Sequence, residues 1–99
     1  MVDIMIIAQL SIAPVGKDTS LSKYVRKSLE ILRNEHIKFE TNAMATVIEI
    51  DNLETLFDVV RKAHNAMIES GAKRVITELK IDDRRDKNVT IASKLEPLR

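Results

Sequence analysis

Residues 44–82 read MATVIEIDNLETLFDVVRKAHNAMIESGAKRVITELKID, and this stretch decides the fold. Residues 44 to 50 are a short, mostly apolar run of strand character. Asp51 or Asn52 then offers a side-chain oxygen of the kind that caps a helix N-terminus. From Leu53 the apolar residues recur at helical spacing, with an expected inner face of Leu53, Leu56, Phe57, Val60, Ala63, His64, Met67 and Ile68. Gly71 stands where a helix commonly ends on a left-handed residue. A strand over residues 73 to 82 closes the unit: Val75, Thr77, Leu79 and Ile81 form one face, and Ile76, Glu78 and Lys80 form the other.

The upstream half follows the same plan. Val2, Ile4, Ile6, Ala8, Leu10 and Ile12 alternate as a strand over residues 2 to 13, broken by Pro14 and Gly16. Thr19 or Ser20 can cap a helix whose face is Leu21, Tyr24, Val25, Ser28, Leu29 and Leu32, ending near Asn34 or Glu35. A short strand over residues 37 to 42 precedes a break at Asn42. Leu21, Val25, Arg26, Lys27 and Leu32 recur 35 residues later as Leu56, Val60, Arg61, Lys62 and Met67. The order β-α-β-β-α-β is the ferredoxin-like pattern of an α+β sandwich: a four-stranded antiparallel sheet with both helices on one face. Residues 1–99 form a single domain, since a chain of this length supports one core and no linker interrupts it. The tail from Asn88 to Arg99 has room for a short helix limited by Pro97.

Composition removes several functions. Sixteen basic and fifteen acidic residues balance to +1, which gives no long-range pull toward nucleic acid or anionic lipid. Cysteine is absent, so thiolate metal sites, disulfides and cysteine nucleophiles are excluded, and with them a cysteine-based metallochaperone of this topology. Of the three aromatics, Tyr24 and Phe57 fall on helices, and Phe39 has the parity of the helix-facing core. The stacking platform of an RNA-binding sheet is therefore missing. The apolar run from Ile4 to Leu10 is too short to span a bilayer and lacks the flanks of a signal peptide, which sets the expectation of a cytoplasmic protein.

The helix-free face carries the functional expectation. It gathers Met5, Ile7, Gln9 and Ser11 with Ile76, Glu78 and Lys80, and with Ala45, Val47 and Glu49 if no bulge near Asn42 reverses the register. Met5, Ile7, Val47 and Ile76 would make an apolar patch, best covered by a second copy stacked on it or by a sheet extended across an edge. The polar residues beside it can line a pocket. The run Asp82, Asp83, Arg84, Arg85, Asp86 reads as ion pairs that tie down a loop or a neighbouring subunit, with Arg84 or Arg85 as an alternative anion anchor. Met44 and Met67 suit packing. His64 is expected half-buried and hydrogen-bonded, and His36 as a cation at a helix C-terminus. No histidine pair has metal-ligand spacing, the single glycine and lysine of PVGKDTS make neither a Walker loop nor the cradle of an acylphosphatase, and Ser11, Thr46 and Thr77 lack a triad pattern. A non-catalytic binder, without metal or cofactor, is the expectation.

SIAPVGKDTSLSKYV, MATVIEI and GAKRVITELKIDDRRD together resemble the small thiamine-binding protein family over residues 1 to about 95. The resemblance implies a ferredoxin-like fold, homotetramers built as dimers of dimers, and binding of thiamine or its hydroxymethylpyrimidine moiety. Thr46, Glu49, His64, Lys80, Asp82, Arg84 and Asp86 match the family pattern, whereas Ala45 and Ile50 stand where relatives often carry glycine. The ligand-binding set expected on this basis is Gln9, Ser11, Met44, Thr46, Glu49, Glu78, Lys80 and Arg84. Glu49 or Glu78 would accept from the pyrimidine amino group and balance the thiazolium charge. Gln9, Ser11 and Thr46 would complete the hydrogen bonds, and Met5, Ile7 and Met44 the apolar wall. The competing expectation is an oligomeric regulatory or interaction module with no vitamin ligand.

Overall fold

In a computed structural model of the protein, which describes residues 5–16 and 22–99, the elements run β1 (Ile6–Pro14), α1 (Ser22–Asn34), β2 (Lys38–Thr41), β3 (Thr46–Ile50), α2 (Leu53–Glu69), β4 (Val75–Asp83) and α3 (Ile91–Leu95), with a final 3₁₀ turn (Glu96–Leu98). The strands form one antiparallel sheet in the order β2-β3-β1-β4. This is the expected ferredoxin-like α+β architecture. The strand residues Val2 and Ile4, the caps Thr19 and Ser20, and Leu21 lie outside the described residues.

Alternation in β1 sends Ile6, Ala8 and Leu10 to the helix side, where they meet Ile48 and Ile50 of β3, Leu32 of α1, and Leu56 and Val59 of α2. Burial of each large aliphatic side chain contributes about 1.5–3 kcal/mol, so this layer is the main source of stability. Phe39, Leu79 and Ile81 pack at its margin. Pro14 does not break β1 but ends it, paired with Val75. A proline is tolerated there because a terminal position need not donate to the ladder.

The inner stripe of α2 differs from its expected composition. Leu56, Val59, Ala63, Ala66 and Met67 are buried, while Phe57 and Ile68 are 52% and 46% exposed. Tyr24 of α1 packs on Ala66 and Met67, which turns the small-residue side of α2 inward. Phe57 and Ile68 then fall on the stripe of His64, above the outer strand β4.

Two helix exits use the same device with different residues. After α2, Gly71 takes φ 98° and the Ala72 N–H bonds to the Met67 carbonyl at 3.2 Å. After α1, His36 takes φ 57°, and the Ile37 N–H bonds to the Leu32 carbonyl at 2.9 Å. A residue with a Cβ is strained in that left-handed conformation and glycine is not. His36→Gly is expected to stabilise the fold by about 0.5–1 kcal/mol. A urea melt checks it, and a lower midpoint would show that the His36 side chain contributes more than its backbone strain costs.

Candidate functional site

The register of the three strand pairs builds two rows across the helix-free face. One row is Glu40, Val47, Gln9 and Lys80, read from β2 to β4. The next is Lys38, Glu49, Ile7 and Asp82. No bulge reverses the hairpin. The Asn42 side chain accepts from the N–H groups of Met44 and Ala45 at 2.8 and 2.9 Å, closing a tight turn that keeps Val47 and Glu49 on this side.

Part of the face is covered by the chain itself. Val89 and Ile91 pack on Ile7 and Val47, leaving Ile7 only 8% exposed. The apolar patch expected to need a second copy is therefore half covered by the C-terminal segment, while Ile76 stays 46% exposed. Glu49 anchors that segment. It is 6% exposed, its Oε1 accepts from the Ile91 N–H at 2.7 Å, and its Oε2 lies 3.2 Å from the Lys38 ammonium. A buried carboxylate is tolerable only with such partners. Thr90 caps the short helix by accepting from the Ser93 N–H at 2.9 Å, and Lys94 reaches back to Asp82 at 2.5 Å.

Beside α3 the face is hollowed on two sides. One recess, of about 200 Å³, is lined by Ile7, Gln9, Val47, Lys80, Asp82 and Lys94. The other, of about 230 Å³, is lined by Ile7, Glu40, Asn42, Val47, Lys94 and Leu95. They share Ile7, Val47 and Lys94, so they form one trough with an apolar floor. A larger recess of about 480 Å³ lies between α1 and α2, where Lys62 bonds Glu35 of the lining and the neighbouring Asp58. It belongs to the helix layer, on the other side of the sheet from the residues that the sequence singles out.

The sequence-expected residues separate on this frame. Gln9 and Lys80 line the trough. Ser11 and Glu78 face each other one row further along. Glu49 lies beneath α3 with both oxygens engaged. Thr46 sits on the helix side of the sheet, its hydroxyl 3.2 Å from that of Thr41. Met44 is 86% exposed at the hairpin tip. Arg84 is forked to Asp86, Nε to Oδ1 at 2.6 Å and Nη2 to Oδ2 at 2.8 Å. Arg85 holds Asp83 in the same way. With Asp82 on Lys94, the whole run from 82 to 86 is spent on ion pairs within the chain. Glu40, Asn42 and Lys94 were not expected in the site. Parity with Val47 could have placed Glu40, but no local signal carries the docking of Lys94.

His64 is half-buried, its Nδ1 2.6 Å from the Thr77 hydroxyl. This pair ties α2 to β4 on the opposite side of the sheet from the trough. Among the described residues no group of His, Asp and Glu is placed to hold a metal, and no helix is long and apolar enough to cross a membrane.

Fold and trough define a small ferredoxin-like protein with a ligand-sized recess on its open sheet face. The chain belongs to the thiamine-binding protein family, whose model matches residues 8–99. A UPF0045 protein of Methanothermobacter thermautotrophicus is 40% identical over 96 residues, covering 96% of this chain and 97% of that protein. The crystal structure of a hypothetical protein from Methanocaldococcus jannaschii superposes with a TM-score of 0.87 at 40% identity, covering 95% of both chains. A domain of unknown function from Bacillus cereus gives a TM-score of 0.84 at 32% identity, covering 97% of this chain and 91% of that one.

Two outcomes follow from the anchoring. Glu49→Ala leaves the Ile91 N–H without its acceptor, a loss of about 1–3 kcal/mol. Hydrogen exchange should show residues 89–95 losing protection while β1 and β3 keep theirs, and unchanged exchange in the tail would contradict the anchor. The forks also set a pH response. Arg85 hydrogen-bonds Asp83 and Arg84 hydrogen-bonds Asp86, and each holds its carboxyl below the usual aspartate range. A depressed folded-state value contributes stability that is present above the unfolded value of about 3.9 and lost as pH falls through the folded one. Carboxyl carbon NMR should find both groups titrating below ordinary aspartates, returning to normal in Arg85→Gln and Arg84→Gln respectively.

Proposed function

We propose that this protein is a non-catalytic binding protein for thiamine or its hydroxymethylpyrimidine moiety, acting in the cytoplasm as a carrier or sensor and assembled as a homotetramer. The observation that carries the reading is the trough. Ile7 and Val47 supply an apolar floor for a flat ring, and the Gln9 amide and the Asn42 amide hydrogens supply directional partners. Family membership supports the same ligand class. The counter-ion role expected of Glu49 or Glu78 passes to Glu40, because Glu49 is engaged by Ile91 and Lys38, Glu78 lies one row beyond the trough, and Glu40 lines it without an ion pair among the described residues. Binding of this kind breaks no bond, and no nucleophile and base converge on the trough.

Assembly has its own support. β4 pairs with β1 on one side and presents a nine-residue edge on the other. An antiparallel copy added along that edge would continue the sheet from one protomer into the next. The competing reading, an interaction module without a vitamin ligand, draws on the exposure of Phe57 and Ile68 beside that edge.

A thermal-shift measurement with thiamine and hydroxymethylpyrimidine separates the two. Ligand at a hundredfold over its Kd adds about 2.7 kcal/mol, roughly 10 °C or more for a domain of this size. The expected result is a selective upward shift, and a flat response from folded protein would favour the interaction module. For the assembly, the native mass of the folded protein should be that of a homotetramer. The mass of a single copy would contradict the assembly.

A further inference from the structure

We infer that the trough is built for a dipolar ligand, with a phosphate at the Lys80 end and a cationic or amino-bearing heterocycle at the Glu40 end. This rests on the binding reading above and names the form of the ligand: a phosphate ester of the thiamine type in preference to the free vitamin. Uncommitted charge distinguishes the two rows of the open face. The row beneath α3 begins with Lys38 and ends with Asp82, but Lys38 is matched by Glu49 and Asp82 by Lys94, so that row is neutral by internal pairing. The adjacent row begins with Glu40 and ends with Lys80, and neither has an ion pair among the described residues. Between them lie only Val47 and the Gln9 amide.

The trough therefore keeps one free negative charge at the β2 edge and one free positive charge at the β4 edge, with Lys94 between. The two ends are three interstrand steps apart, roughly 14 Å of backbone at about 4.8 Å per step, less what the two side chains bridge. Free thiamine is a single cation with a neutral hydroxyl tail. Its ring system satisfies Glu40 and leaves Lys80 with no counter-charge. A phosphate on that tail supplies the charge-assisted hydrogen bonds a lysine makes best. Such bonds are stronger than neutral ones by enough to change affinity about tenfold or more.

The test is calorimetric titration of the full chain with thiamine, thiamine monophosphate and inorganic phosphate at low and high salt. The expected result is monophosphate binding about tenfold or more tighter than thiamine at low salt, with the gap narrowing as salt rises. Lys80→Gln should abolish the difference between the monophosphate and thiamine measured in that variant, and Lys80→Arg should keep the preference. Glu40→Gln should weaken thiamine and its monophosphate together. Equal affinities in the parent protein, or a preference that survives Lys80→Gln, would overturn the inference and leave the binding reading standing. Inorganic phosphate binding as tightly as the ester would overturn the two-ended site. Failure of folded protein to bind either vitamin form would overturn the binding reading itself.

Discussion

The buried carboxylate of Glu49 is the constraint on which the functional face depends. A ferredoxin-like sheet has helices on one side only, and in this chain the bare side begins with Ile7 and Val47 at its centre. Glu49, one strand from Ile7, accepts the Ile91 N–H at 2.7 Å and so seats the C-terminal segment over those residues. The capped turn at Thr90 and the Lys94–Asp82 pair hold the rest of the segment in place. The result is a face that is neither bare nor closed, with a trough left on both sides of α3.

This arrangement accounts for the charges at the end of β4. A strand that ran into Asp82, Asp83, Arg84, Arg85 and Asp86 unpaired would splay apart. Instead each arginine folds back on the aspartate two residues away, and Asp82 takes Lys94. These pairs are exposed and individually weak. The two forks are local to the loop, and the Asp82–Lys94 pair ties the end of β4 to α3. Of the polar side chains lining the trough, Gln9, Lys80 and Glu40 are left without a side-chain partner among the described residues.

The core and the topology were legible in the sequence because they rest on local periods. Alternation in β1 and β4, the Asn52 cap and the Gly71 exit all act within a few residues. The side of the sheet on which Val47 and Glu49 fall was legible once the Asn42 turn was taken to keep its register. The face of α2 was only partly so, since Phe57 and Val59 are equally apolar and the choice between them was made by Tyr24 on another helix. The site was least legible. Thr46 and Glu49 look like binding residues in a polar-apolar strand, yet Thr46 faces the helices and Glu49 serves α3. The first follows from the parity of Thr46, opposite to that of Val47 and Glu49, and only the second comes from a contact distant in sequence, between residues 42 positions apart.

The open sheet face beside α3 is the proposed seat of a small heterocycle. Amide and side-chain NMR of the isotope-labelled protein, titrated with thiamine, tests it most directly. The account predicts saturable shifts confined to Ile7, Gln9, Asn42, Val47, Lys80 and the α3 amides, with α1 and the outer surface of α2 unmoved. Shifts centred instead on Ile31, Lys62 and Ala66 in the groove between the helices, or none at any residue, would contradict it.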